Sequence, residues 1–217
     1  MLAIDASTYT GTVAVISAGQ IVSEREVIMR GRNEERLMPA VAEALSAAAV
    51  SVHDLGAVAC GEGPGSFTSL RIAASIAKGL ASGLVIPLYA VPSLLLMVAG
   101  SAWSQVAGRY LAVLDAMRGE LFAACYEVFD GGTVREIAPI TLLGTASLEA
   151  FAVALDATIM GIGRHLDAFP HARGVALCER FGGLSRVDLG AWEPRYGRLA
   201  EAQVKWELTN ARPLHGV

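Results

Sequence analysis

YLAVLDAMRGELFAACYEVFD, residues 110–130, repeats the plan of MLAIDASTYTGTVAVISAG, residues 1–19. Each begins with an apolar strand that ends on an aspartate, turns through a short polar segment containing glycine, and continues as a second apolar strand. Asp5 matches Asp115, and Gly11 roughly matches Gly119. Because the match falls at the start of two successive halves, it points to an internal duplication.

Working outward from this repeat, the alternation in LAIDAS, TVAVISAG and QIVSEREVI predicts three successive strands, mostly joined as hairpins. Leu37, Met38, Val41, Leu45 and Ala48 then recur at helical spacing, with Pro39 either in the first turn or at a kink. A buried-type strand at 56–60, a helix over 68–82, a strand near 85–91 and a new helix from Pro92 follow. After 110–130 come a strand in IAPITLLG, a helix in SLEAFAVAL and a strand in TIMGIG. This order predicts an α/β chain of two similar lobes, each with a mixed sheet flanked by helices, divided as 1–105 and 106–217. The arrangement resembles the duplicated actin-like, ribonuclease H-like superfamily of actin, sugar kinases and Hsp70 ATPases (ASKHA). There, the two hairpin turns clasp a nucleotide's phosphates. Asp5, Ser7, Thr8 and Asp115 are the corresponding nucleotide-site candidates here, because tight-turn amides suit anions and a strand-end carboxylate suits a metal-bound water.

Composition narrows the function classes. The 217 residues are 53% hydrophobic and only 18% charged, which is ample for a folded core. A net charge of -4 provides no general field for a phosphate backbone. Cys60, Cys125 and Cys178 form no CxxC pair and read as reduced thiols, and the absence of a basic leader before Asp5 leads us to expect a cytoplasmic protein. The uncharged run from Gly79 to Trp103 is interrupted by Gly83, Pro87 and Pro92, so it reads as a helix end, a strand and a helix start, with no membrane span.

The segment CGEGPGSFTSLRIAASIAKGLASG, residues 60–83, looks at first like a phosphate-binding loop, but it lacks the lysine that a P-loop needs. Ser66 is followed by Phe67 and Thr68, so there is no GxSxG nucleophile elbow. His53, His165, His171 and His215 form no HExxH or HxxxH pair, and no metal site is expected. Gly63, Pro64, Gly65 and Ser66 instead read as a tight turn into a helix, with Ser66 capping its first N–H groups. On that helix Ile72, Ile76 and Leu80 form a bulky flank suited to burial against a sheet, and Leu70, Ala74, Ala77 and Ala81 form a small flank suited to close approach of another helix. That neighbour is either the 36–48 helix of the same chain or a partner's helix.

GEGPGSFTSLRIA resembles the GPGSFTGLRIG signature of the TsaB (YeaZ) family, a subunit of the bacterial machinery that makes threonylcarbamoyladenosine (t6A) in tRNA. LAIDAS, LDAMRGELF (similar to the family's DARMGEVY) and EPRYGR at 193–198 (similar to EPxYxR) extend the resemblance over nearly the whole chain. Ser69 and Ala73 stand where the family usually has glycine, and Asn33 where many members have histidine. The resemblance implies a chain without catalytic residues of its own, docking onto and activating the catalytic subunit TsaD, with the ATPase TsaE joining. It implies that docking uses the two N-terminal helices, here Leu37, Val41, Ala44 and Leu45 with Leu70, Ala74, Ala77 and Ala81. Ala77→Arg is then expected to abolish pairing while leaving the fold intact. No cofactor is expected to bind this chain tightly by itself; ATP or ADP and metal would enter through TsaD and TsaE, and tRNA only through the complex. A homodimer through the same helices is an expectation for the isolated chain. The alternatives are a sugar-kinase-like ATP-binding enzyme and, with no nucleophile and base pair to support it, an M22-type glycoprotease-like peptidase. Arg195, Arg198, Lys205 and Trp206 have the chemistry for tRNA contact, but Glu193, Glu201 and Glu207 are interleaved, and a tail docked on its own chain is the expected outcome.

Overall fold

The computed structural model describes residues 1–29 and 36–197. Asn33, Arg198, Glu201, Lys205, Trp206, Glu207 and His215, and all of RGRNEER except Arg36, lie outside the described residues.

The duplication is visible in the strand pairing. In the first half, β1 (Leu2–Asp5) pairs antiparallel with β2 (Thr10–Ser17), β2 with β3 (Gln20–Ile28), and β1 parallel with β4 (Val58–Gly61), which pairs parallel with β5 (Leu88–Val91). In the second, β6 (Gly108–Asp115) pairs antiparallel with β7 (Glu120–Val128), β7 with β8 (Val134–Gly144), and β6 parallel with β9 (Thr158–Gly161), which pairs parallel with β10 (Leu166–Asp167). The sheet orders are therefore β5-β4-β1-β2-β3 and β10-β9-β6-β7-β8, the same topology twice, with β11 (Ser185–Arg186) added antiparallel beside β5. This is the duplicated, two-lobed actin-like α/β architecture expected from the sequence.

Period-2 alternation sends each strand's side chains to two cores. Leu2, Ile4, Val13, Val15, Val58 and Leu88 face α1 (Leu37–Ala47) and α2 (Phe67–Leu84). Ala3, Ala14, Ile16 and Val91 face the opposite way, into a core shared with Tyr110, Ala112, Leu114, Phe122 and Tyr126 of the second sheet. Between the sheets lie α3 (Ser93–Ala99) and α5 (Val175–Phe181). On the far side of the second sheet, α4 (Leu148–Ala154) covers Leu111, Val113 and Leu121. All seven residues of α3 are buried, which accounts for the absence of charge over 93–99. Among the described residues no helix is long and apolar enough to cross a membrane.

Of the two places expected for Pro39 the structure shows the first turn of α1, where its missing N–H costs no hydrogen bond. Other local expectations need correction. Helix α2 does not end at Gly83 but runs to Leu84, and Val85 closes it in the left-handed conformation at φ 55°. Ser66 occupies the N-cap position without capping: its hydroxyl is 3.1 Å from that of Ser69, and no side chain caps the helix. Sequence reading also passed over β10, α5 and β11.

Candidate functional site

The two hairpin turns converge, as the duplication requires. Ser7, Thr8 and Tyr9 from the β1–β2 turn, Asp115, Ala116 and Met117 from the β6–β7 turn, and Gly65, Ser66, Phe67 and Thr68 at the start of α2 line one pocket of about 330 Å³. Leu114, Phe122, Ile162 and Tyr196 complete it. Ser7, Thr8, Asp115, Gly65 and Ser66 are thus brought together from the sequence candidates. Tyr9, Phe67, Met117, Ile162 and Tyr196 were not foreseen; the signal available was their position in or beside the matched motifs.

Asp5 is not among the lining residues. Its carboxylate is fully buried, accepting from the Ser7 N–H at 3.0 Å, the Ser7 hydroxyl at 2.8 Å and the Ser93 hydroxyl at 2.6 Å. Burial pushes its pKa up, against those three donors. Ser93 Oγ in turn accepts the Gly63 N–H at 3.0 Å, so Asp5 ties the end of β1 to the start of α3 and to the turn before α2. The matched Asp115 is exposed and lines the pocket, accepting the Met117 N–H at 2.7 Å. The two halves have given one register position two uses.

The turn is glycine-rich because backbone crosses it closely. A Cβ on Gly65 would collide with the Ser7 carbonyl, and one on Gly63 with the Arg195 carbonyl. The second collision marks a strap, residues 187–197, that returns across α2. Lys78 Nζ donates to the Trp192 carbonyl at 2.8 Å, and the Trp192 ring packs into the α1/α2 core. Arg195 meets Glu62, and Tyr196 packs on Phe67 with ring centroids 4.5 Å apart. Residues 187–197 are therefore docked on their own chain; Arg198, Lys205 and Trp206 of the tail lie outside the described residues.

The docking residues require a larger correction. Leu37, Val41, Ala44, Leu45, Ala74, Ala77 and Ala81 are all buried in the core that α1 and α2 share with the first sheet, and Leu70 is fully buried beside the Gly63 turn. Ala77 has no exposed surface, so Ala77→Arg tests the fold, not a partner. The bulky flank, Ile72, Ile76 and Leu80, is the one left half-exposed. The inward-facing sheet residues are already large, so alanine is what fits between helix and strands at close range.

Among the described residues no group of three or more His, Cys, Asp or Glu could hold a metal ion. Cys60, Cys125 and Cys178 are free and buried, and burial pushes the Cys178 thiol up to about 12. The segment around His171 fastens the second half to the first sheet: the Ala172 N–H donates to Thr12 Oγ1 at 3.0 Å, and Arg173 donates to Glu24 and to the Gly100 carbonyl.

Residues 28–162 match the protein family described as TsaD: tRNA N6-adenosine threonylcarbamoyltransferase. Relatives include the tRNA threonylcarbamoyladenosine biosynthesis proteins TsaB of Escherichia coli K12, 37% identical over 132 residues, and of Bacillus subtilis 168, 32% identical over 139 residues. The chain belongs to the TsaB (YeaZ) members of this family. The matches cover 61% and 64% of the chain, and only 57% and 59% of those two TsaB relatives' own lengths. Two solved structures from Pseudomonas aeruginosa agree over more of the chain. A protein described as similar to the peptidase YeaZ superposes with a TM-score of 0.76 at 28% identity, covering 91% of this chain and 98% of that one. A second, described as YeaZ, gives 0.71 at 25% identity, covering 90% and 98%.

Proposed function

We propose that this chain takes part in forming threonylcarbamoyladenosine in tRNA, as a subunit without catalytic residues of its own. It docks onto a TsaD subunit, with TsaE joining, and holds TsaD in its active form. The family membership and the names of the TsaB relatives support the pathway. The outward face of α2 is the observation that supports the docking.

At 3.6 residues per turn, Ile72, Ile76, Gly79 and Gly83 share one flank, on the far side of the helix from the buried Ala77 and Ala81. A Cβ added at Gly79 or Gly83 would meet nothing within 4 Å, so the fold itself does not require glycine there. Each costs the helix roughly 1 kcal/mol relative to alanine. A flank of isoleucine beside unneeded glycine suits a second helix approaching at backbone distance. On α1, exposed Met38, Ala42 and Ser46 extend the same kind of low, weakly charged surface.

Co-purification with TsaD tests this. Ile76→Arg and Gly79→Arg are expected to keep the circular dichroism spectrum and lose the complex, whereas Val153→Arg on exposed α4 keeps both. A complex that survives both α2 substitutions overturns the docking face.

A further inference from the structure

One edge of the second sheet is left half covered. In the first sheet β5 pairs with all four residues of β4, whereas in the second β10 pairs only with Met160 and Gly161, the last two residues of β9. Thr158 and Ile159 pair with Tyr110 and Leu111 on the β6 side, and no described strand pairs with them on the other. Alternate residues of a strand direct their main-chain groups to the same side. Gly161 faces β10, its carbonyl accepting the Ala168 N–H at 3.3 Å, so Ile159 faces the same side at the point where β10 has not begun.

A pocket of about 540 Å³ opens at this place. Ile159 packs into the core under α4 and Met160 into the core between the sheets, so Thr158 points away from α4. Thr158 and Ile159 nevertheless both line the pocket, and only the edge of a sheet is reached from both of its faces. The outer flank of α4, with Glu149, Val153 and Asp156, forms one wall, and Arg164 and His165 from the turn before β10 form another. Val153 is 79% exposed, an apolar side chain that the fold leaves uncovered. Among the described residues no ion pair engages Glu149, Asp156, Arg164 or His165, so the two walls present opposite charge to whatever lies between them.

We propose that this notch takes an extended peptide segment of a partner protein, added beside β9 in line with β10. Its main chain bonds to the uncovered edge at Ile159, and alternate side chains supply the selectivity. A basic and an acidic residue two positions apart share one face of such a strand, the first meeting Glu149 and Asp156 and the second Arg164. A helix would not serve here, because its main-chain groups are bonded internally and the β9 edge would stay unpaired. The inference does not depend on the docking face, since α2 packs on the other sheet.

The test is an NMR titration of the isotope-labelled full chain with the peptide acetyl-SVKVEVS-amide and with its charge-exchanged form, acetyl-SVEVKVS-amide. One of the two is expected to bind saturably, moving the Ile159 amide resonance, and at least about fivefold more tightly than the other. N-methylation of the better peptide at its three valines, or at its lysine and glutamate, is expected to abolish binding in one case and spare it in the other, the signature of a strand bonded along one edge. Glu149→Lys combined with Arg164→Glu is expected to reverse the preference between the peptides at unchanged circular dichroism. The proposal is overturned if neither peptide binds saturably, if both N-methylated forms bind alike, or if the double variant keeps the original preference. Self-association of the free chain that the double variant abolishes, read by sedimentation, would give the notch to a second copy and overturn it equally.

Discussion

Glu62 holds Arg195 at two points: its carboxylate lies 3.4 Å from the guanidinium Nε, and its main-chain carbonyl accepts the Arg195 N–H at 2.6 Å. The carboxylate is nearly buried and the arginine largely exposed, so the guanidinium serves chiefly to relieve a charge that the turn has taken out of water. Burial pushes the Glu62 pKa up and Arg195 pulls it part of the way back.

Arg195→Ala removes that relief and raises the Glu62 pKa further. A carboxyl whose pKa is raised by folding costs no stability below its unfolded pKa, where both states are protonated, and costs progressively more as pH rises from that value through the folded one. The variant is therefore expected to lose roughly 1–2 kcal/mol at pH 8 and much less at pH 4. Urea unfolding at the two pH values checks this; equal losses remove the charge argument. Glu62→Gln in the same background is expected to cancel most of the pH difference.

His171 carries the opposite dependence. It is buried, its Nδ1 accepts the Arg173 N–H at 3.1 Å, and Nε2 therefore carries the proton and donates to Glu26 Oε1 at 3.2 Å. Burial, with Arg173 close by, pushes its pKa down from 6.5 to about 4. Below pH 6.5 the unfolded chain takes up a proton that the folded one resists. Stability from this group should fall as pH drops from 6.5 to 4, by roughly 2–3 kcal/mol in all. In His171→Asn the slope of stability against pH over that window should flatten, whatever the variant's absolute stability.

Val85 closes α2 at φ 55° while 91% exposed. A β-branched residue is poorly suited to that conformation, and its side chain contributes little packing. Val85→Gly is expected to raise stability by about 1 kcal/mol and the melting temperature by a few degrees. A melting temperature that falls instead would mean the valine contributes contacts that its exposure does not suggest.

The two flanks of α2 should separate cleanly. Ala77→Arg places a charge where no surface is exposed and is expected to cost more than about 3 kcal/mol, seen as insoluble or unfolded protein. Ile76→Arg, one residue earlier, should stay folded and change stability by less than about 1 kcal/mol.

Strand identity was readable wherever alternation was long enough to be periodic. LAIDAS, TVAVISAG and YLAVLD announced β1, β2 and β6, and the matched aspartates announced the repeat before any pairing was known. The two-residue strands β10 and β11 carry no period at all, and α5, seven residues in VALCERF, spans only two turns. The flanks of α2 were read in reverse because hydrophobicity ranks isoleucine above alanine, whereas burial there was decided by the room left between large strand residues. The pocket was half legible. Its polar members sit in motifs that sequence reading singles out, but its aromatic wall is completed by Tyr196, and nothing local in the sequence brings that residue to Phe67.

The order in which the chain leaves the ribosome has a consequence for β11. The outer edge of β5, Leu88–Val91, is covered by Ser185–Arg186, which are synthesised only after every strand of the second sheet. Until then the nascent first sheet presents an unpaired, apolar edge, the kind of template on which other chains assemble. Nascent chains stalled between residues 100 and 184 should therefore be the ones most in need of chaperone shielding during synthesis.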